Sequence, residues 1–209
     1  MKDDTAICTP VFSKPIYSKL LNIDTKRIVS IIEEYEFHRA SSSNGGSSSN
    51  SRYILEDEKF KFLKDELIRE FYVFASGVMR YSNEFEITTS WATKIVKGQG
   101  SDYHNHNNCM ISGILYLQTD ETSGDISFRD YDTKRYQIHT KESNIFNSTK
   151  YRFTPSDRML LLFPSEVQHK VEENNSDIIR YSLAFNVTPV GLIGNDKSDS
   201  HLTIKIEKS

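Results

Sequence analysis

The stretch FEITTSWATKIV, residues 85–96, opens the half of the chain whose pattern decides the fold. It is rich in β-branched and aromatic residues, and five further runs of the same texture follow it. These runs are ISGILYLQ (111–118), DISFRD (125–130), RYQIHT (135–140), MLLLFP (159–164) and RYSLAFNV (180–187). Turn-forming residues separate them. Residues 85–187 therefore predict about six to eight strands, enough for an all-β sandwich or barrel.

Two helical patterns precede these strands. Residues 24–36 carry apolar side chains at spacings of three and four behind a cap at Asp24 or Thr25, and residues 56–80 repeat the pattern at greater length. Between them, SSSNGGSSSNS at residues 41–51 is too polar to offset the cost of ordering its backbone. We expect a mobile loop there, which is either an idle surface linker or a lid over substrate.

The length of 209 residues is that of a single domain. We divide it into a helical flank over residues 1–84, a β core over residues 85–190 and a C-terminal extension over residues 191–209. The extension contains a turn at Gly194 and a last strand near residues 202–206.

Composition excludes several classes of protein. The net charge of −3 and the pI near 6.1 supply no basic field to hold nucleic acid. The N-terminus has no signal-peptide pattern and no run is long enough to span a membrane, so we expect a soluble cytoplasmic protein without membrane contact. Cys8 and Cys109 form no recurring pattern and predict free thiols.

Three histidines are candidate metal ligands. His104 and His106 lie in YHNHNN, residues 103–108, separated by one residue. In a strand both would project from the same face, close enough to bind one ion. His169 follows the apolar run MLLLFPSEVQ, where a buried strand ends. An HxH pair taken alone is more often two unrelated polar residues, so the prediction depends on the motifs around it.

The strand RYSLAFN is the second feature that suggests chemistry. Its alternation places Arg180 and Ser182 on one face, opposite Tyr181 and Leu183. An inward arginine is costly unless it meets an anion, and its guanidinium fork beside a hydroxyl matches a carboxylate. The alternative is an arginine on the solvated side, and alternation alone does not decide between the two faces.

The order of the motifs carries a family resemblance. In sequence they are Trp91, Gly98, HNHNN, SGILYLQTDETSGDISF, MLLLFPSEVQH and RYSLAFN. This order, over about residues 91–191, resembles the 2-oxoglutarate and Fe(II)-dependent oxygenase superfamily, and within it an HxHxN branch related to prolyl 4-hydroxylases. The resemblance implies a mainly β fold with flanking helices, built on a double-stranded β-helix, the jelly roll or cupin-like barrel.

The same resemblance implies a role for each histidine. His104 takes the place of the first histidine ligand, His169 that of the distal one, and His106 the place usually held by Asp or Glu. The usual triad has two histidines and one carboxylate, so His106 is a departure from the pattern. Asp102 or Asp130 is the alternative third ligand.

The resemblance also assigns the cosubstrate residues. Arg180 and Ser182 correspond to the pair that binds the far carboxylate of 2-oxoglutarate, and Tyr116 lies on the strand that donates a hydroxyl to the same group. Asn108 is a further candidate for orienting a ligand. Isolated asparagines next to such motifs have an equally good explanation as turn residues.

The implied activity is that of a non-haem iron dioxygenase. It would couple oxidative decarboxylation of 2-oxoglutarate to hydroxylation of a peptide or small-molecule substrate, with peptidyl proline as the leading candidate, and the family suggests a homodimer. One alternative is a cupin-like three-histidine dioxygenase or metal-binding protein that does not use 2-oxoglutarate. Another is a non-enzymatic β-sandwich module in which HNHNN is a surface loop.

Overall fold

The computed structural model describes residues 8–11, 13–40, 44–130, 138–195, 197 and 199–207. Its strands are β1 (Tyr17–Leu20), β2 (Phe37–Arg39), β3 (Ser47–Ser49), β4 (Glu84–Ile95), β5 (Ile111–Gln118), β6 (Ile126–Arg129), β7 (Lys150–Phe153), β8 (Met159–Pro164), β9 (Gln168–Val171), β10 (Arg180–Ile193) and β11 (Leu202–Ile204). The helices are α1 (Thr25–Ile32) and α2 (Lys61–Tyr72), with 3-10 turns at Ile54–Glu56 and Glu58–Phe60 and a π-helical turn at Val73–Val78.

The strands form two sheets. The larger sheet has the order β1-β8-β5-β10-β4-β3-β2, with β11 paired to β10, and the smaller sheet has the order β7-β6-β9. Apolar residues of both sheets meet in an inner core, which contains Tyr116, Phe128 and Leu161. A second core lies between the helices and the outer face of the larger sheet. Residues far apart in sequence thus surround one interior.

Strand β10 is buried on both faces in its first half. Tyr181, Leu183 and Phe185 belong to the core shared with the helices. The alternate row begins with Arg180 and Ser182 and lies on the opposite face, toward the smaller sheet. The predicted alternation of RYSLAFN is confirmed. The alternative prediction, an arginine on the solvated side of the strand, is wrong because Arg180 is fully buried.

Both predicted helices are present, with different bounds. Asp24 caps α1, because its side chain accepts a hydrogen bond from the Arg27 backbone N–H at 3.1 Å. The apolar pattern of residues 56–80 becomes a 3-10 turn, α2 and a π-helical turn rather than one helix. No helix in the part of the chain that the structure describes is long and apolar enough to cross a membrane.

The serine-rich segment departs from its prediction. Residues 41–43 lie outside the described residues, but Ser47–Ser49 is a strand rather than a mobile loop. It pairs with β2 on one side and β4 on the other, and the Ser49 hydroxyl accepts a hydrogen bond from the Ala92 backbone N–H. These hydrogen bonds offset the entropic cost of ordering the backbone, whereas the polar composition alone had predicted that the segment would stay mobile.

Other strands differ from the sequence pattern as well. Of RYQIHT, residues 135–137 lie outside the described residues, and residues 138–140 form no strand. Lys150–Phe153 and Gln168–Val171 are strands that the pattern missed, because both are short and rich in charged or polar residues. The last strand is confirmed at Leu202–Ile204.

A glycine on β5 limits how the larger sheet packs. Gly113 lies opposite Phe185, and a Cβ at this position would lie 2.2 Å from the Cζ atom of the Phe185 ring. The backbone of β5 and the aromatic ring therefore occupy space that any larger residue would need.

We expect Gly113→Ala to lower the free energy of unfolding by about 1–3 kcal/mol, since added atoms in a packed core force backbone and side-chain shifts. Urea unfolding at neutral pH measures the change. Gly77→Ala is the matched control, because a Cβ there meets nothing within 4 Å. Equal stability of wild type and Gly113→Ala would show that β5 shifts freely.

Candidate active site

Backbone hydrogen bonds bring the three histidines together. His104 and His169 form an antiparallel bridge, with N–H to carbonyl distances of 3.0 Å and 2.9 Å. The backbone N–H of His106 donates to the Ser165 carbonyl at 3.0 Å. One ring nitrogen of each histidine then lies within 4.8 Å of the other two, which is close enough for one metal ion.

Two of the imidazoles are oriented by carbonyl groups. His104 Nδ1 lies 2.8 Å from the Asp102 carbonyl oxygen, and His169 Nδ1 lies 3.0 Å from that of Val167. A carbonyl oxygen only accepts, so each Nδ1 carries the hydrogen and each Nε2 keeps its lone pair for a metal. This is the arrangement in which imidazole ligands are held in proteins.

Burial keeps the imidazoles of His106 and His169 in the neutral form, which is the form that binds a metal. Desolvation, with a smaller effect from His104, lowers the pKa of His169 to about 3 and that of His106 to about 4. Both imidazoles are therefore neutral at physiological pH. A neutral imidazole can coordinate a divalent ion without first releasing a proton.

The structure does not place the alternative carboxylates with the histidines. Among the described residues, His104, His106 and His169 are the only group of potential ligands close enough to hold an ion. Asp102 contributes its backbone carbonyl, and its side chain is exposed. Asp130 forms an ion pair with Lys14 at 3.7 Å, beside a different cavity.

A cavity of about 440 Å³ lies beside the histidines. It is lined by the inner rows of β4, β5 and β10, by the small sheet, and by the segment from Gly45 to Ser48. Apart from Asp102 and the histidines, its lining side chains carry no titratable group. The cavity is therefore largely neutral, with hydroxyl, amide and aromatic groups around it.

Arg180 and Tyr116 form a buried polar pair behind the cavity wall. Each lies two residues along its strand from a lining residue, Ser182 and Ile114 respectively. The Arg180 guanidinium carbon is 5.0 Å from the Tyr116 ring centroid, and its Nη1 donates to the Gly124 carbonyl at 3.2 Å. Arg180 Nε, Arg180 Nη2 and the Tyr116 hydroxyl have no hydrogen-bond partner among the described residues.

Buried donors of this kind are suited to binding an anion. Burial lowers the pKa of Arg180 and raises that of Tyr116, because each charged form loses its hydration. Leaving three buried polar atoms unpaired costs free energy that a bound group would recover. A carboxylate fits, since its two oxygens can accept from guanidinium and phenol donors together.

Ser182 and Asn108 have different surroundings. Ser182 lines the cavity and shares a hydrogen bond of 2.6 Å with Thr93 Oγ1, on the same face of β10 as Arg180. Asn108 is exposed, has a φ of 60°, and does not line the cavity. The positive φ is typical of a turn residue, and the Asn108 carbonyl accepts a hydrogen bond from Thr188 Oγ1 on β10.

Sequence reasoning missed several residues that surround the cavity. Asn186 continues the row of Arg180 on β10, so the alternation of RYSLAFN contained the signal for it. Ser112 bonds to the Asn186 side chain at 2.9 Å from the neighbouring strand. The segment from Gly45 to Ser48 gave no signal, because its composition is that of a linker.

The part of the chain with these features also matches a known family. Residues 89–186, from β4 into β10, match the family model described as "Putative 2OG-Fe(II) oxygenase". The matched segment is just under half of the chain. The match agrees with the predicted superfamily and enzyme class, and with Fe(II) and 2-oxoglutarate as the two groups that this family uses.

Solved oxygenase structures share the fold of this one. HygX from Streptomyces hygroscopicus, with nickel, 2-oxoglutarate and hygromycin B bound, has a TM-score of 0.62 at 10% identity, covering 84% of this chain and 83% of that one. A Pseudomonas putida prolyl-4-hydroxylase has a TM-score of 0.59 at 15% identity, and the match covers 86% of this chain and 95% of that one. A Trichoplax adhaerens prolyl hydroxylase, in complex with a hypoxia inducible factor peptide fragment, has a TM-score of 0.60 at 12% identity. The match covers 84% of this chain and 83% of that one.

These similarities confirm the predicted double-stranded β-helix. A search of curated proteins finds no match. The three histidines and Arg180 lie inside the segment that the family model covers.

Asp120 connects the two loops next to Arg180. Its carboxylate accepts hydrogen bonds from the Thr122 backbone at 2.8 Å, from Ser123 Oγ at 3.0 Å, and from Ser176 Oγ. The Ser176 hydrogen bond is the largest cause that lowers the pKa of Asp120 to about 2. The loop of Ser123 also supplies the carbonyls that face Arg180.

We expect Asp120→Ala to destabilise the protein above pH 4 and to have a smaller effect as pH falls toward 2. The folded-state pKa is depressed, so this carboxylate contributes stability above its unfolded pKa of about 3.9 and loses it as it protonates. Unfolding of both proteins across pH measures the difference. Glu121→Ala is the control for an exposed neighbouring carboxylate, and an unchanged difference from pH 5 to pH 2 would contradict the prediction.

Proposed function

We propose that this oxygenase binds Fe(II) through His104, His106 and His169 and couples oxidative decarboxylation of 2-oxoglutarate to hydroxylation of an organic substrate. The observation that carries the proposal is the buried, unpaired set of Arg180 and Tyr116 donors in the same barrel as the histidine group. These donors match the far carboxylate of 2-oxoglutarate. The donor set and the orphaned atoms thus fit both groups that the family requires.

The residues of the chain have separable tasks in this proposal. His104 and His169 present Nε2 atoms that their backbone hydrogen bonds orient in advance. Arg180 binds the charged end of the cosubstrate, and the hydroxyls of Ser182 and Tyr116 complete the polar contacts around it. When bound, Fe(II) and 2-oxoglutarate supply the oxidation, in which the cosubstrate loses CO₂ to give succinate and oxygen enters a C–H bond.

His106 changes the charge of the site. Three neutral imidazoles leave a divalent ion with its full charge, whereas two imidazoles and a carboxylate leave one unit less. One carboxylate of the cosubstrate is paired with Arg180 in this proposal, so the other is the negative charge left to offset part of the charge of the ion. We therefore propose that 2-oxoglutarate contributes more to holding the metal here than it does beside an acidic ligand.

For the substrate, we propose a peptidyl proline as the first candidate. Two of the proteins with this fold are prolyl hydroxylases, and one of them was solved with a peptide. HygX, by contrast, was solved with hygromycin B, a small molecule. Comparing succinate formation with a prolyl peptide and with its alanine counterpart separates a peptide substrate from a small one.

A three-histidine dioxygenase that does not use 2-oxoglutarate is the second candidate. The observation in its favour is the donor set itself, which has imidazole where the usual triad has a carboxylate. This second candidate provides no ligand for the unpaired hydrogen-bond donors of Arg180 and Tyr116. Arg180 therefore distinguishes the two functions.

The Arg180→Ala variant should bind Fe(II) normally and lose affinity for 2-oxoglutarate by about 100-fold or more, because charge-assisted hydrogen bonds contribute roughly 1.5–3 kcal/mol each. Anaerobic calorimetry and the succinate yield of the iron-loaded protein measure both effects. Arg69→Ala on α2 is the control, as its side chain is largely exposed. Wild-type protein that neither binds 2-oxoglutarate nor forms succinate would overturn the proposed function.

Replacing His104 and His169 together with alanine should release the metal, because a single imidazole remains. Metal content after purification without chelators, and after loading with Fe(II) under argon, measures this. The control is His139→Ala, an exposed histidine away from the site. Equal iron in the double variant and the wild type would place the metal elsewhere.

A further inference from the structure

The three imidazoles of the proposed metal site are not supported equally. His104 and His169 each donate from Nδ1 to a backbone carbonyl two residues earlier. For His106, no hydrogen bond joins either ring nitrogen to another residue in the described parts of the chain. Only its backbone N–H is fixed, by the Ser165 carbonyl. The ring of His106 therefore needs another source of orientation.

Ring contacts supply that source. The His106 imidazole lies 5.2 Å from His104 and 5.1 Å from His169, centroid to centroid, and 5.6 Å from the ring of Trp91. The first two rings are proposed ligands themselves. Trp91 is thus the single non-ligand aromatic residue in ring contact with His106 among the described residues.

Strand β4 places Trp91 for this contact. Trp91 pairs with Ala184 on β10, and its side chain lines the cavity on the same inner face as Thr93. Its indole nitrogen is a donor without a lone pair, so Trp91 cannot bind the metal directly. The large flat ring restricts the rotation of the imidazole that packs against it.

We propose that Trp91 is a positioning residue for His106. Packing against the Trp91 ring orients the His106 imidazole, as backbone carbonyl groups orient the imidazoles of His104 and His169. The inference rests on the proposed function, because it takes His106 to be a metal ligand. Groups that orient a ligand typically change metal affinity by 10- to 100-fold when they are removed. A contact between two rings is weaker, so we expect a smaller effect.

Two other roles for Trp91 predict different results. A tryptophan that only stacks on substrate would leave the affinity for metal alone unchanged. A tryptophan that only packs in the barrel would have the same effect whether residue 106 is histidine or not. Metal affinity measured without 2-oxoglutarate or substrate, in two backgrounds at position 106, separates all three roles.

The experiment is a titration of the apo protein with Co(II), followed by the visible absorption of the bound ion. We expect Trp91→Leu to weaken Co(II) binding by about 3- to 10-fold and to change the spectrum, and Trp91→Phe to restore most of both. In the His106→Asp background, Trp91→Leu should leave the affinity unchanged, because a carboxylate has no ring to hold. Phe153→Leu is the control, since Phe153 contacts aromatic residues but none of the histidines.

Several outcomes would overturn the inference. These are an unchanged Co(II) affinity in Trp91→Leu, an equal loss in both backgrounds, or an equal loss in Phe153→Leu. If urea unfolding shows that Trp91→Leu does not fold, Trp91→Met replaces it, because the longer and more flexible methionine side chain adapts better to the space left by the indole. If His106→Asp binds no Co(II), the Phe153→Leu comparison and the recovery in Trp91→Phe decide. Wild-type protein that binds no Co(II) would instead contradict the metal site itself.

Discussion

Strand β10 is buried on both faces, and the packing of both cores follows from this. One row of its side chains fills the core beneath the helices, while the other row faces the interior between the sheets. An apolar inner row would simply make a thicker core. Arg180, Ser182 and Asn186 instead make that interior polar, and a polar interior is stable only if its groups find partners. Most do, and the exceptions lie where the cosubstrate is proposed to bind.

Hydrogen bonds to backbone groups hold two of the three histidines of the candidate site in place. The bridge between His104 and His169 fixes a loop to β9, and carbonyl groups orient both rings. Such contacts depend on chain path rather than on particular neighbouring side chains. The path in turn depends on the turn around Gly100, where a Cβ would lie 2.7 Å from the Val171 carbonyl oxygen. The placement of the candidate ligands His104 and His169 is therefore part of the fold, whereas the ring of His106 has no carbonyl partner of this kind among the described residues.

Much of the fold was predictable, for reasons that particular residues illustrate. Asp24 marks the start of α1 because a carboxylate satisfies a free N–H at a helix end. The alternation in RYSLAFN follows from the period of a strand. Ser47–Ser49 was missed because its order comes from pairing with β2 and β4, which lie on either side of it in the sheet. The strand at Gln168–Val171 was missed because a four-residue polar strand has no pattern of its own.

The amino-acid pattern alone was enough to predict the candidate ligands, the alternation of β10 and, through the order of the motifs, a resemblance to a family. It could not predict which row of β10 faces the space between the sheets, because a period of two is the same for either orientation of the strand. The folded chain also shows that Asp102 supplies a carbonyl rather than a carboxylate to the site, and that Trp91 contacts His106. These contacts were not predictable because local pattern sets the direction of a side chain relative to its own strand, while its partners come from strands distant in sequence.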